Sequence, residues 1–72
     1  MKRIIVLQGC DDNTLFEMDL NTDELATLYH LAKVSYEVGG GCKPIMFIYT
    51  EEEYVKEYGE YDLKYIRRVN DD

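Results

Sequence analysis

The sequence predicts a small α+β domain with a β-β-α-β core, in which one main helix packs on a small sheet, followed by a short helix and an extra strand. Two segments, KRIIVLQ and PIMFIY, carry apolar residues on both faces, which is typical of central strands. The segment between them repeats apolar residues at helical spacing. At 72 residues the chain is expected to form one domain, residues 1–72, with a thin core.

The first two elements are predicted to form a β-hairpin. Residues 2–8 are apolar on both faces, and the GCDDN segment that follows them is rich in turn formers. Residues 14–20 then alternate, with Phe16 and Met18 on one face and Glu17 on the other. Because one face of this second strand is wet, we expect it to lie at an edge of the sheet.

The main helix has predicted start and stop signals. Asn21 followed by Glu24 resembles a capping box, and three glycines at residues 39–41 should end the helix near Val38. The apolar stripe expected to face the sheet consists of Leu25, Leu28, Tyr29, Ala32 and Tyr36.

The C-terminal part is predicted to contain a strand, a short helix and a final strand. IMFIY forms the second central strand, and Thr50 with Glu53 forms a capping-box pattern for a helix over residues 51–58. Tyrosines also recur at helical spacing across Gly59, but a glycine inside a helix costs about 1 kcal/mol. We therefore favour a strand from about residue 62 to 68.

The predicted sheet has one face without a cover, because one helix covers only one face. Two alternatives remain open. Either the C-terminal segment folds over this face, or a second copy of the chain does, which would make a homodimer. The C-terminal residues available for this role are Tyr61, Leu63, Tyr65 and Ile66.

The two cysteines are predicted to be neighbours. A sheet of order 2-1-3 places Cys10 after one central strand and Cys42 just before its antiparallel neighbour, at the same end. Three interpretations remain open: two small half-buried side chains, a disulfide or redox pair, or metal ligands. A zinc site needs four ligands, and only Asp11 or Asp12 adds one nearby.

No catalytic set is recognisable, so we expect a protein that is not an enzyme and that needs no cofactor or metal. The glycines of VGGGCKP lack the spacing of a phosphate loop. Ser35, the single serine, falls inside the main helix. His30, the single histidine, falls on the polar face of that helix, where a solvated side chain is expected.

The formal net charge of −7 limits the kinds of partner that we expect. Contacts to DNA, RNA or anionic lipid need clustered Lys and Arg, so we expect no direct nucleic-acid binding. The apolar runs are far shorter than the roughly 20 residues of a membrane span, and the start MKRIIVL is too short for a secretory signal. We expect a cytoplasmic protein, with no membrane attachment, whose partner has a basic surface and whose thiols stay reduced.

An acidic segment that bears tyrosines is the candidate partner-binding site. Between residues 51 and 62, six acids stand against one base, Lys56. One interpretation is a solvated helix whose tyrosines pack on the sheet. The other is a protein-binding surface, because acids steer association with a basic partner and tyrosine provides contact area at low entropy cost. The predicted partner-binding residues are Glu51, Glu52, Glu53, Tyr54, Glu57, Tyr58, Glu60, Tyr61 and Asp62.

Two motifs carry a resemblance to a known group of proteins. Residues 9–12 read Gly-Cys-Asp-Asp in the predicted hairpin, and residues 41–44 read Gly-Cys-Lys-Pro. Over residues 3–48 the chain resembles small accessory proteins that tailed bacteriophages encode, a family with no established activity. The resemblance implies a partner from the host cell, including a defence nuclease of the restriction or CRISPR type.

Two functional hypotheses follow. The leading one is a non-catalytic phage-type protein that binds and inhibits a basic host protein, one that handles nucleic acid. The alternative is a domain that sequesters a small molecule or a metal at the end of the sheet that carries Cys10, Asp11, Asp12 and Cys42.

The predicted thiol pair has a direct chemical test. Mild oxidation should form an intramolecular Cys10–Cys42 disulfide, which closes a loop of about thirty residues and stabilises the fold by about 2 to 4 kcal/mol. The Cys42→Ser variant should keep its fold and lose this gain. Denaturant unfolding of oxidised and reduced protein measures the difference, and oxidation that yields only intermolecular dimers would contradict the predicted strand order.

Overall fold

The computed structural model describes residues 1–9, 11–38 and 45–69, which form four strands, two α-helices and a short 3₁₀ helix. The elements are β1 (Lys2–Gln8), β2 (Asn13–Asp19), α1 (Thr22–Val38), β3 (Ile45–Tyr49), α2 (Glu51–Tyr58), the 3₁₀ helix η1 (Tyr61–Lys64) and β4 (Arg67–Val69). Neither α-helix in these described ranges has the length and apolar character that a membrane span requires. The α+β class is the one predicted from the sequence.

The four strands form one mixed sheet in the order β3-β1-β2-β4. β1 pairs antiparallel with both neighbours, so that Ile5 lies opposite Phe16 on one side and Ile48 on the other. β4 pairs parallel with β2 and places Arg67 opposite Phe16. The predicted order 2-1-3 is confirmed, and β1 is interior, as expected for a strand that is apolar on both faces. The prediction that β3 is a second central strand is wrong: β3 lies at an edge, where α1 packs against it and the backbone N–H of Met46 donates to Ser35 Oγ.

Both predicted capping boxes are present. Glu24 N–H donates to Asn21 Oδ1 at 2.8 Å, and Asn21 N–H donates to Glu24 Oε1 at 2.9 Å. Thr50 and Glu53 make the same reciprocal pair at 3.1 and 2.8 Å. These bonds satisfy backbone donors that a first helical turn leaves unpaired, so the helices begin directly after Asn21 and Thr50.

The prediction that β2 is an edge strand is wrong, because β4 covers its outer side. The predicted wet face of β2 carries Glu17, which accepts a hydrogen bond from Arg68 Nε at 3.1 Å. The Glu17 side chain is only 12% exposed. Its charge is thus matched across the β2–β4 pair, and a polar residue on a strand does not require an open edge.

The prediction of a strand over residues 62–68 is wrong for most of its length. Tyr61–Lys64 forms η1, and the strand is confined to Arg67–Val69. Backbone hydrogen bonds between residues three apart hold η1 together. Leu63 and Ile66 have the same spacing, and both pack on the core, which an alternating strand would not allow.

The core surrounds β1, whose residues 4–6 are at most 8% exposed. Ile4 and Val6 share one face and pack with Tyr54 of α2, which is 4% exposed. Leu63 and Ile66 of the C-terminal segment pack against the same cluster. The sequence left open whether the C-terminal segment or a second copy of the chain covers this face. In the structure the C-terminal segment covers it, together with α2.

Helix α1 lies on the opposite face of the sheet and next to β3. The backbone N–H of Met46 in β3 donates to Ser35 Oγ at 3.1 Å. Arg3 shares a face of β1 with Ile5, and its Nε donates to Tyr29 Oη at 3.4 Å. The two faces of β1 are thus covered by different parts of the chain.

Much of the apolar surface of α1 stays exposed. Leu25 is the buried residue of this helix, whereas Leu31, Val34 and Val38 are 50%, 39% and 65% exposed. These three residues follow one stripe at positions i, i+3 and i+7. The homodimer stays a prediction, although the sheet face that it was predicted to cover is covered by α2 and the C-terminal segment.

The predicted thiol pair lies outside the described residues, because neither Cys10 nor Cys42 is among them. The strand order on which that prediction depends is present. Gln8, near the end of β1, lies opposite Ile45, at the start of β3.

Gly59 ends α2 with φ 87° and ψ 178°, a conformation that glycine adopts far more readily than other residues. An added Cβ would meet no atom within 4 Å, so the cost of Gly59→Ala is conformational. We expect this variant to lose about 1 to 3 kcal/mol of unfolding free energy, measured by denaturant unfolding.

The matched control is Glu60→Ala, because Glu60 has a negative φ of −102° that alanine adopts without strain. The control should change stability by less than about 0.5 kcal/mol. Equal stability of the two variants would contradict the positive φ at Gly59.

Candidate partner-binding site

Helix α2 places two tyrosines against the third strand. Tyr54 and Tyr58 are one helical turn apart, and their ring centroids lie 5.0 Å from each other. Tyr49 of β3 packs edge-on against both rings, at centroid distances of 5.9 and 5.8 Å. Pairs in this geometry contribute about 0.5 to 1.5 kcal/mol beyond their buried area. We call Tyr49, Tyr54 and Tyr58 the tyrosine cluster.

Two hydrogen bonds connect the hydroxyl groups of this cluster. The Oη atoms of Tyr49 and Tyr58 lie 3.2 Å apart. Tyr54 Oη donates to Asp62 Oδ2 at 3.2 Å. Because Asp62 belongs to η1, the second bond joins α2 to the C-terminal segment.

Burial and hydrogen bonding raise the pKa of two members of the cluster above the usual tyrosine value of 10.0. For Tyr49 the main cause is desolvation, followed by the hydrogen bond and the charge of Tyr58. For Tyr54 desolvation again comes first, followed by the hydrogen bond to Asp62 and its charge. A raised pKa favours the protonated phenol, so Tyr54 is the donor toward Asp62 at neutral pH.

A groove of about 400 Å³ opens beside the tyrosine cluster, and we call it the tyrosine groove. The sheet contributes Val6, Leu15 and Phe47, with Gln8 and Asn13 at the hairpin end. The helical and C-terminal elements contribute Tyr54, Tyr58, Asp62, Tyr65 and Ile66. Its lining is mainly aromatic and aliphatic, with one carboxylate and two amides.

The predicted acids fall into two groups. Glu53 accepts a hydrogen bond from the Thr50 backbone N–H. This bond, together with the hydrogen bond to the Thr50 side chain, lowers the pKa of the Glu53 carboxyl group. Glu53 therefore helps to hold the start of α2. The other five acids, Glu51, Glu52, Glu57, Glu60 and Asp62, are exposed to solvent, as Glu53 is, and do not take part in this capping box. These five are available to a partner.

The predicted tyrosines also divide by burial. Tyr54 is 4% exposed and belongs to the core, so its ring supports the site from below and contributes only a small part of the groove lining. Tyr58 and Tyr61 are 55% and 67% exposed, and Tyr65, which the sequence did not predict for this site, is 74% exposed. We call the following set the docking surface: Glu51, Glu52, Glu57, Tyr58, Glu60, Tyr61, Asp62 and Tyr65.

The sequestering site of the alternative hypothesis lies mostly outside the described residues, since these exclude both cysteines. Asp11 and Asp12 are exposed. In the part of the chain that the structure describes, no three His, Cys, Asp or Glu side chains are grouped around a possible metal position. His30 is exposed on α1, as its place on the polar face of the helix predicts.

Comparisons with known proteins give no family for this chain: no family model, curated protein or solved structure matches it. The resemblance to phage accessory proteins therefore stays an expectation from the two motifs. We base the function on the docking surface, the tyrosine groove and the charge of the chain.

The tyrosine groove has no linear signal in the sequence. Residues from β1, β2, β3, α2 and the C-terminal segment come together to line it, and each of these elements contributes only one to three side chains. The only local hint is the three-residue spacing of Leu63 and Ile66, which fits a 3₁₀ turn better than a strand. It could have indicated the turn before Ile66, but not the groove itself.

Stability should fall at alkaline pH because of the tyrosine cluster. The folded state keeps protons on Tyr49 and Tyr54 that the unfolded state releases above about pH 10. This stabilisation is therefore complete below that pH and is lost as the pH rises further. Tyr49→Phe should flatten the alkaline fall of the denaturant midpoint, while Tyr61→Phe, at an exposed ring, should leave it unchanged. A Tyr49→Phe profile that overlays the wild-type profile would show that the Tyr49 hydroxyl does not cause the alkaline fall.

Proposed function

We propose that the protein is a non-catalytic binding protein that docks on a basic surface of another protein. The observation that carries the proposal is the division of α2 into two sides. Tyr54 fixes the helix to the core, while Glu52, two positions earlier, projects from the opposite side of the helix. The same short helix thus anchors the site and presents its charge.

The charge distribution supports a cationic partner. Six acids against one base lie between residues 51 and 62, in a chain of net charge −7. Such a field attracts a basic surface and accelerates encounter, with a rate that falls steeply as salt is added. The same field repels phosphate, so direct binding to nucleic acid or to an anionic membrane is disfavoured.

The exposed tyrosines supply contact area, which charge alone does not provide. Tyr58, Tyr61 and Tyr65 are each more than half exposed, and the rings of Tyr61 and Tyr65 lie 5.8 Å apart. Tyrosine buries a large area with few rotatable bonds and is frequent among the residues that dominate binding energy. We expect the acids to set the rate of association and the tyrosines to set the rate of dissociation.

The docking surface rests on a framework that is complete before binding. The capping box of Thr50 and Glu53 holds the start of α2, and the Tyr54–Asp62 hydrogen bond ties its end to η1. A surface arranged in advance loses less conformational entropy on binding. Such a framework suits a small protein whose role is to occupy a site on a larger one.

We further propose that the partner is a host protein that handles nucleic acid, including a defence nuclease, and that docking inhibits it in the host cytoplasm. This step rests on the motif resemblance to phage accessory proteins and on charge. An acidic surface that fills a basic groove competes with the phosphates that the groove normally binds.

Sequestration of a small molecule is a second candidate, favoured by the position of the tyrosine groove. The groove extends to Gln8 and Asn13, which stand on either side of the sequence segment that contains Cys10. Native mass spectrometry of the freshly purified protein would show a retained ligand in this case. A spectrum with only the apo mass across its oligomers would remove this candidate.

Charge reversal on α2 tests the docking proposal. We expect Glu52→Lys/Glu57→Lys to slow association with a partner captured from cell lysate by about tenfold or more at low ionic strength. The difference should shrink as salt screens the charges. Surface plasmon resonance at several salt concentrations measures the association rate constant.

The matched control is Asp23→Lys/Glu37→Lys on α1. Asp23, like Glu52, lies in the first turn of its helix, and both double variants change the net charge equally. The control should keep most of the wild-type association rate. Equal slowing by the two variants, or no slowing by the α2 variant, would exclude docking through α2.

A further inference from the structure

We infer that the tyrosine groove takes the guanidinium group of an arginine side chain from the basic surface of the partner. The inference deepens the proposed function and rests on it, because it assigns the central contact of the docking surface. Three properties of the groove support it: its aromatic lining, its single carboxylate and its volume.

The aromatic lining fits a planar cation. Phe47, Tyr54, Tyr58 and Tyr65 all line the groove, and the rings of Tyr58 and Tyr65 are 55% and 74% exposed. The face of an aromatic ring carries partial negative charge and attracts a cation within about 6 Å of the ring centre. Guanidinium is planar and weakly hydrated, so it stacks on such rings more readily than an ammonium group does.

The carboxylate of Asp62 supplies the counter-charge. Tyr54 Oη donates to Asp62 Oδ2 at 3.2 Å and so fixes the orientation of the carboxylate beside the groove. A guanidinium group pairs with a carboxylate through two parallel hydrogen bonds. Among the described residues that line the groove, none is Lys or Arg, so no internal cation in this set competes for the carboxylate.

The volume and the remaining polar groups fit one side chain. At about 400 Å³ the groove is near the lower end of the range for ligand sites, roughly 300 to 1,000 Å³. Guanidinium carries five N–H donors, more than one carboxylate accepts. Gln8 and Asn13, both amide residues, belong to the same lining. Asp62 disfavours an anion, which excludes a phosphate group as the occupant.

The test uses the full chain and N-acetyl-arginine methylamide, so it does not require the partner. In an NMR titration at constant ionic strength we expect saturable shifts of groove residues, with a dissociation constant of about 1 mM or weaker. The citrulline analogue, which has nearly the same shape and no charge, should cause no saturable shift. The lysine analogue should bind more weakly than arginine. Equal shifts with all three compounds would overturn the inference.

Two pairs of variants locate the binding. Asp62→Asn keeps an oxygen for Tyr54 and should weaken arginine binding by about fivefold or more. Glu37→Gln removes the same charge from α1, outside the groove and the docking surface, and should not weaken binding. Tyr65→Ala should weaken binding by a similar factor, with Tyr29→Ala on α1 as its control. Wild-type affinity in both groove variants would refute the site.

The result separates this inference from the proposed function. If the arginine compound does not bind while charge reversal on α2 still slows association with the captured partner, the inference fails and the docking proposal stands. If the arginine compound binds the groove but charge reversal on α2 has no effect, the groove is a cation site and the docking proposal fails.

Discussion

The whole fold depends on covering the central strand β1 on both faces. Residues 4–6 of this strand are at most 8% exposed, although the chain has only 72 residues and a domain of this size has little apolar surface to bury. Helix α1 lies on the Ile5 face, and α2 with the C-terminal segment lies on the Ile4 and Val6 face. Tyr36 of α1 also packs edge-on against Phe47 on the Val6 face, so elements from several parts of the chain build the core.

The burial of Tyr54 links this constraint to the proposed function. It is the buried residue of α2, and its hydroxyl reaches Asp62 in η1. Once this ring is in the core, helical geometry directs Glu52 away from the sheet, and the Tyr54–Asp62 bond places Asp62 beside the tyrosine groove. The charge that attracts a partner and the groove that we propose for its arginine side chain are therefore consequences of the same packing contact.

Local signals in the sequence were sufficient for most of the fold. The two-faced apolar pattern of β1 and both capping boxes have short-range causes, and each matches the structure. The same apolar pattern in β3 did not indicate a central position, because β3 lies at an edge of the sheet. Non-local contacts produced the errors. Glu17 has a polar side chain that resembles an edge signal, but Arg68 matches its charge from a strand fifty-one residues later in the chain. The tyrosine groove was missed for the same reason, because its lining comes from five different elements.

The central claim is that Tyr54 anchors α2 on β1 and thereby fixes the docking surface. Nuclear Overhauser effects between the Tyr54 ring and the methyl groups of Ile4 and Val6 test it most directly, in a sample with labelled methyl groups. We predict strong effects to both residues, since the three side chains form one buried cluster. Their absence, together with a Tyr54 ring that behaves as exposed to solvent, would contradict the claim and remove the framework on which both proposals rest.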